Sequence, residues 1–147
     1  PMEGVTVELE LRRRTEARSE ALASYGDLKV GEMLVICFKA SESGYVTLWN
    51  QIAGSMGKEN RPLLPNQFAA RAEPVDAGVE RCVGDTDAYS FKVSAPVTDG
   101  KVMVHWTRTL EDAVPADAYP APVKSASGRQ ATEPPKYATR TVRYTAN

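Results

Sequence analysis

The sequence has a single histidine, His105, and only two cysteines, Cys37 and Cys82, among 147 residues. One histidine removes every metal site built on several imidazoles and forces any histidine-dependent dyad or triad through His105 itself. Its position inside the apolar run 102–107 reads as a structural residue rather than a base. Two cysteines are too few for a small disulfide scaffold, and a chain of this length buries enough surface to fold without one. Cys37, within Leu34-Val35-Ile36-Cys37-Phe38, reads as a small buried hydrophobe, whereas Cys82 follows a turn. The expectation is therefore two free thiols, with a Cys37–Cys82 bond as the alternative. Neither cysteine sits at a helix N-terminus that would activate it, which argues against a Cys/His pair.

Charge of one sign is also lacking. A formal net charge of -1, with 25% charged and 42% hydrophobic residues, describes an ordinary soluble domain with no global pull toward nucleic acid or anionic membrane. Arg12-Arg13-Arg14 is the one basic triplet, and Glu8, Glu10, Glu16 and Glu20 balance it. The segment from Arg129 to Arg143 is mildly basic but has no platform of aromatics on which bases would stack, so nucleic acid is not expected. No apolar run approaches the 18 or so residues of a membrane span. Pro1-Met2 reads as a cleavage scar, so a removed signal peptide or an upstream domain, and with them the compartment, stay open.

Motifs for phosphate or cation binding are incomplete. Gly54-Ser55-Met56-Gly57-Lys58-Glu59 lacks the Walker spacing and the hydroxyl after its lysine, and reads as a loop. Asp85-Thr86-Asp87 places two carboxylates at alternate positions without the Gly-then-Glu completion of a calcium loop. No catalytic residue, metal ligand or cofactor is nominated.

What the chain does have is alternation. Val5, Val7, Leu9 and Leu11 interleave with polar residues as a half-buried strand. Further strands are expected at 30–39, 45–52, 79–83, 89–93 and 101–107, the last introduced by Asp99-Gly100. Residues 13–24 read as a charged connection with at most a short helix. Gly54 to Asn60 break the pattern, Pro62 and Pro65 hold Leu63-Leu64 extended, and Phe68-Ala69-Ala70 leads into a Glu73-Pro74 turn. Short strands with frequent turns and no convincing helix predict an all-β fold, an antiparallel, immunoglobulin-like β-sandwich with short helical turns at most. Its core spans residues 1–110. A Pro/Ala-rich connection follows at 111–136, and 137–145 form a C-terminal strand expected to complete the sheet, or to exchange with a neighbouring edge.

The segment from Tyr25 also carries a resemblance. Tyr25, then Val30-Gly31-Glu32, the apolar strand 33–38, Gly44-Tyr45-Val46-Thr47-Leu48, Leu64-Pro65-Asn66 and the turn Asp76-Ala77-Gly78 resemble the bacterial domain of unknown function family 4384. The match covers roughly residues 25–108. It departs from the family at Leu64, where an aromatic is usual. Members occur alone and appended to larger proteins, including caspase-like peptidases and kinases. The resemblance implies an accessory β-sandwich and carries over no catalytic residue.

Aromatics supply the candidates for binding: Tyr45, Trp49 and Trp106. Tyr45, Thr47 and Trp49 face away from Val46 and Leu48, so if the latter fill the core the rings stand outside the sheet. There they are covered by the C-terminal segment or a loop, or they meet a peptide or glycan. The function expected is a non-catalytic protein-interaction or ligand-recognition module of a larger bacterial assembly with a protein partner. The alternatives are a small Cys/His or Ser/His hydrolase and a purely structural spacer.

Overall fold

Alternating residues at the start of the chain form β1 (Val7–Arg14), whose Val7, Leu9 and Leu11 lie directly opposite Ala40, Phe38 and Ile36 of β3 (Met33–Ala40). Because side chains on a strand repeat every two residues, this register puts all six on one face and Glu8, Glu10 and Arg12 on the other. In the computed structural model the described residues are 4–15, 19–22, 24–54, 57–64, 72–84, 89–110, 113 and 137–147. Among them there is no α-helix, and so none long and apolar enough to cross a membrane.

Two sheets pack face to face. The first runs β2 (Ser19–Ala21), β1, β3, β7 (Arg81–Val83), with β8 (Phe91–Lys92) also on β3. The second runs β10 (Tyr137–Ala146), β9 (Val97–Thr107), β4 (Gly44–Gly54), β5 (Gly57–Leu64), with β6 (Glu73–Val75) also on β4. Strand pairing is antiparallel within both, as expected of an all-β sandwich. Between the sheets lie Leu11, Ile36 and Phe38 from one side and Val46, Leu48, Val102, Val104 and Trp106 from the other, each at most 2% exposed. Full burial of each such side chain contributes about 1.5–3 kcal/mol, which makes this layer the main source of stability.

The motif residues that mark the sequence have structural duties. Gly31 takes a left-handed φ of 99°, and its amide donates to the Val93 carbonyl at 2.7 Å. Glu32 accepts from the Lys29 amide at 2.8 Å and from Arg13 Nε at 2.6 Å, fastening the turn to β1. The Tyr25 hydroxyl accepts from the Leu11 amide, while its carbonyl accepts from the amide of Thr145. A parallel bridge, Leu28 to Ala146, and the bonds Val30 N to Asn147 O and Asn147 N to Leu28 O hold the end of β10 against this segment. Gly78, at φ 71°, closes the Asp76-Ala77-Gly78 turn by donating to the Ala40 carbonyl.

Several expectations are corrected. Residues 19–21 are a strand paired with Arg12–Arg14 rather than helix or loop. β5 is a full partner of β4 through Gly57 to Asn60, the region read as breaking the pattern, and Pro62 lies in the extended stretch expected of it. An edge strand tolerates Pro62, because one side of its ladder needs no amide donor. Glu73 and Pro74 lie in a strand, and Asp99-Gly100 lies inside β9 rather than before it. Phe68-Ala69-Ala70, Pro65-Asn66, Asp85-Thr86-Asp87, Ser55-Met56, Pro1-Met2 and nearly all of 111–136 fall outside the described residues.

Candidate functional site

The outer face of the second sheet is built by register alone. Tyr45, Thr107 and Tyr137 form one row across β4, β9 and β10; Thr47, His105 and Thr139 form the next; then come Trp49, Met103 and Thr141, and finally Gln51, Lys101 and Arg143. Thr47, Trp49, His105 and Thr107 are all buried, at 1%, 2%, 6% and 1% exposure, although they stand on the side away from the core. The Trp49 indole donates from Nε1 to Thr47 Oγ1 at 3.2 Å, which fixes the ring to its own strand. Beside it a groove of about 430 Å³ is lined by the last two rows, from Trp49 and Met103 to Lys101 and Arg143. Because the Trp49 ring is only 2% exposed, what the groove presents to solvent is chiefly Met103, Thr141 and the polar and cationic Gln51, Lys101 and Arg143.

His105 lies near the other end of the face. Its imidazole stacks on the Tyr137 ring, with centroids 5.7 Å apart and planes 15° apart. Among the described residues nothing partners its buried Nδ1. Burial lowers its pKa from the ordinary 6.5 to about 4, so the ring is neutral at physiological pH.

The cysteines correct the expectation of free thiols. Cys37 faces Cys82 across the β3–β7 ladder and is bonded to it. Cys37 is buried, yet it lies on the outer side of its sheet beside Glu10, not in the core cluster. The bond joins neighbouring strands of one sheet, whereas in antibody domains the disulfide crosses between the two. The two sulfurs and the Glu80 carboxylate gather within 4.8 Å of one another, but oxidised sulfurs offer no thiolate to a metal. Disulfide and histidine therefore sit on opposite outer faces of the sandwich, which separates the members of any Cys/His dyad.

Of the residues nominated for binding, Tyr45 and Trp49 share the outer face, with Tyr45 half-buried. Trp106 lies on the other side of β9, wholly buried in the core. Its Nε1 donates to the Glu42 carbonyl at 3.2 Å, and Arg108, 5.4 Å from the ring centre, is paired with Glu42 at 2.6 Å. Missed were Gln51, Lys101, Met103, Thr141 and Arg143. The parity of β9 and β10 carries that signal, because Met103 and Lys101 alternate with Val102 and Val104.

Residues 27–109, more than half of the chain, match the family described as Domain of unknown function (DUF4384). The chain belongs to this family. No curated protein and no solved structure matches it. The matched stretch of this DUF4384 domain holds β3 to β9, and the strand that closes the second sheet, β10, lies beyond it.

Proposed function

We propose that this DUF4384 domain is a non-catalytic recognition module of a larger bacterial assembly, docking a protein partner on the outer face of its second sheet. The observation behind the reading is the groove in which Trp49 and Met103 lie beside Lys101, Arg143, Gln51 and Thr141. Three adjacent strands supply it, so its shape is held by the ladder and little ordering is needed on binding. Tyr45 and Tyr137 extend the face with amphipathic rings of the kind enriched at interfaces. Among the described residues, the His105 ring is neutral and stacked on Tyr137, and the reading as a module without catalysis is consistent with that.

The test is retrieval of partners from lysate of the producing cell by the wild-type domain, by Thr141→Arg on this face, and by Lys39→Glu on the opposite one. Recovery of a protein by wild type and Lys39→Glu but not by Thr141→Arg is the expected result. Equal recovery by all three, or no recovery by any, overturns the proposal and leaves a spacer.

A further inference from the structure

Glu10, Cys37 and Cys82 form a row across β1, β3 and β7 on the outer face of the first sheet. Glu80 stands just before β7, and its carboxylate gathers with both sulfurs within 4.8 Å. A hollow of about 380 Å³ opens beside them, bordered by Glu8, Glu10, Cys37, Lys39 and Glu80. Of the cations that flank the row, Lys39 pairs with Glu8 at 3.9 Å and Arg12 with Glu10 at 3.8 Å. Each is matched by a carboxylate other than Glu80.

The disulfide is not what sets Cys37 opposite Cys82. Ile36, Cys37 and Phe38 pair in register with Val83, Cys82 and Arg81, so the backbone ladder holds the two cysteines face to face whether or not their sulfurs are joined. The entropy of closing the loop acts on the unfolded chain, and losing it leaves the folded register in place. The two Cα atoms are 4.0 Å apart, close to the separation of about 3.8 Å between two thiolates that each sit about 2.3 Å from one tetrahedral zinc. Two thiolates and a carboxylate are a ligand set suited to Zn²⁺, with a fourth position left for water.

We propose that reduction turns the Cys37–Cys82 pair into a zinc site completed by Glu80, so that this face carries either a disulfide or a metal ion. A dithiol reductant opens the bond by thiolate attack on sulfur. Two electrons and two protons pass to the cysteine pair, and the reductant leaves as its own disulfide. Zn²⁺ then replaces the two thiol protons, which go to solvent. Cys82, only partly buried, is the sulfur open to attack, whereas Cys37 is 1% exposed. The site lies on the face opposite the Trp49 groove and does not depend on the role assigned to that groove.

Titration of the intact chain with Co²⁺, a spectroscopic probe for zinc sites, tests the proposal. Oxidised protein is compared with wild type and Glu80→Gln, both reduced with a dithiol and desalted without oxygen. Reduced wild type should keep its strand spectrum, bind one Co²⁺ per chain with sulfur-to-cobalt charge-transfer absorption, and lose that absorption when Zn²⁺ is added. Oxidised protein should show no such band. Glu80 is exposed, so reduced Glu80→Gln should match the metal-free melting temperature of reduced wild type while binding Co²⁺ about tenfold more weakly. Loss of the strand spectrum on reduction, no charge-transfer band in the reduced protein, equal binding by the oxidised protein, or unchanged affinity in Glu80→Gln each overturns the proposal.

Discussion

Breaking the Cys37–Cys82 bond should remove a large part of the domain's stability, and the size of the loss follows from the loop it closes. The two residues are 45 positions apart, and the loop between them carries β4, β5 and β6 of the other sheet. Closing a loop of that length restricts the unfolded chain by about 4 kcal/mol at 25 °C in the chain-entropy account. Domains are stable by about 5–15 kcal/mol in total, so a domain of this size should lose roughly 15 °C in melting temperature. The assay is urea unfolding of oxidised protein, reduced protein and the Cys37→Ala/Cys82→Ala variant. Reduced wild type retains the sulfur volume, so its difference from the alanine variant isolates the packing loss at buried Cys37, about 1 kcal/mol. Alkylation under denaturing conditions without reductant should find no free thiol. Reduced protein within about 1 kcal/mol of oxidised protein would refute the entropic reasoning, and two alkylated cysteines would refute the bond.

Three further outcomes are expected. Because the folded pKa of His105 is about 4 against an ordinary 6.5, only the unfolded chain takes up its proton between those values. Stability therefore falls as pH drops through that window, by at most about 3 kcal/mol, and His105→Gln should flatten that part of the profile relative to wild type. Equal slopes for the two proteins would contradict the burial. Ending the chain before Tyr137 removes β10, with its buried Tyr144 and Ala146, and bares the edge of β9. A loss of about 4–6 kcal/mol and oligomers in size-exclusion chromatography are expected, whereas a fully stable monomer contradicts the role of β10. Gly44→Ala would place a Cβ 2.6 Å from Trp106 Cε2 and against the Thr107 carbonyl. Overpacking against backbone should cost about 3 kcal/mol, read as a lower urea midpoint; a change below about 1 kcal/mol contradicts the seat of Trp106.

Where one strand face is wet, the sequence states its own pairing: Val7, Leu9 and Leu11 announce β1, and the β-branched run at Tyr137 announces β10. The turn at Asp76-Ala77-Gly78 was legible through the family resemblance, and the left-handed φ of Gly78 is the physical reason a glycine stands there. β5 was not, because Gly54, Gly57 and Asn60 around its start count as breakers of the strand pattern until the pairing with β4 is known. Cys37 is buried as expected, but its facing and its bond to Cys82 were missed for a different reason. In β3 every residue from Leu34 to Phe38 is buried, and a continuous apolar run does not say which alternate residues face inward. Trp106 shares parity with Val102 and Val104, so its place in the core could have been taken from the alternation. The groove beside Trp49 needs the β10–β9–β4 strand order, a long-range fact that local patterns do not contain.

The most direct test of the recognition face replaces Thr141, and separately Lys39, with a photo-crosslinking amino acid in the full chain, followed by irradiation in the producing cell. Position 141 borders the groove on the second sheet, and position 39 lies on the outer face of the first. A discrete adduct at 141 and none at 39 is the predicted result. Adducts at 39 alone, the same adduct at both positions, or none at 141 would contradict the assignment of that face to a partner.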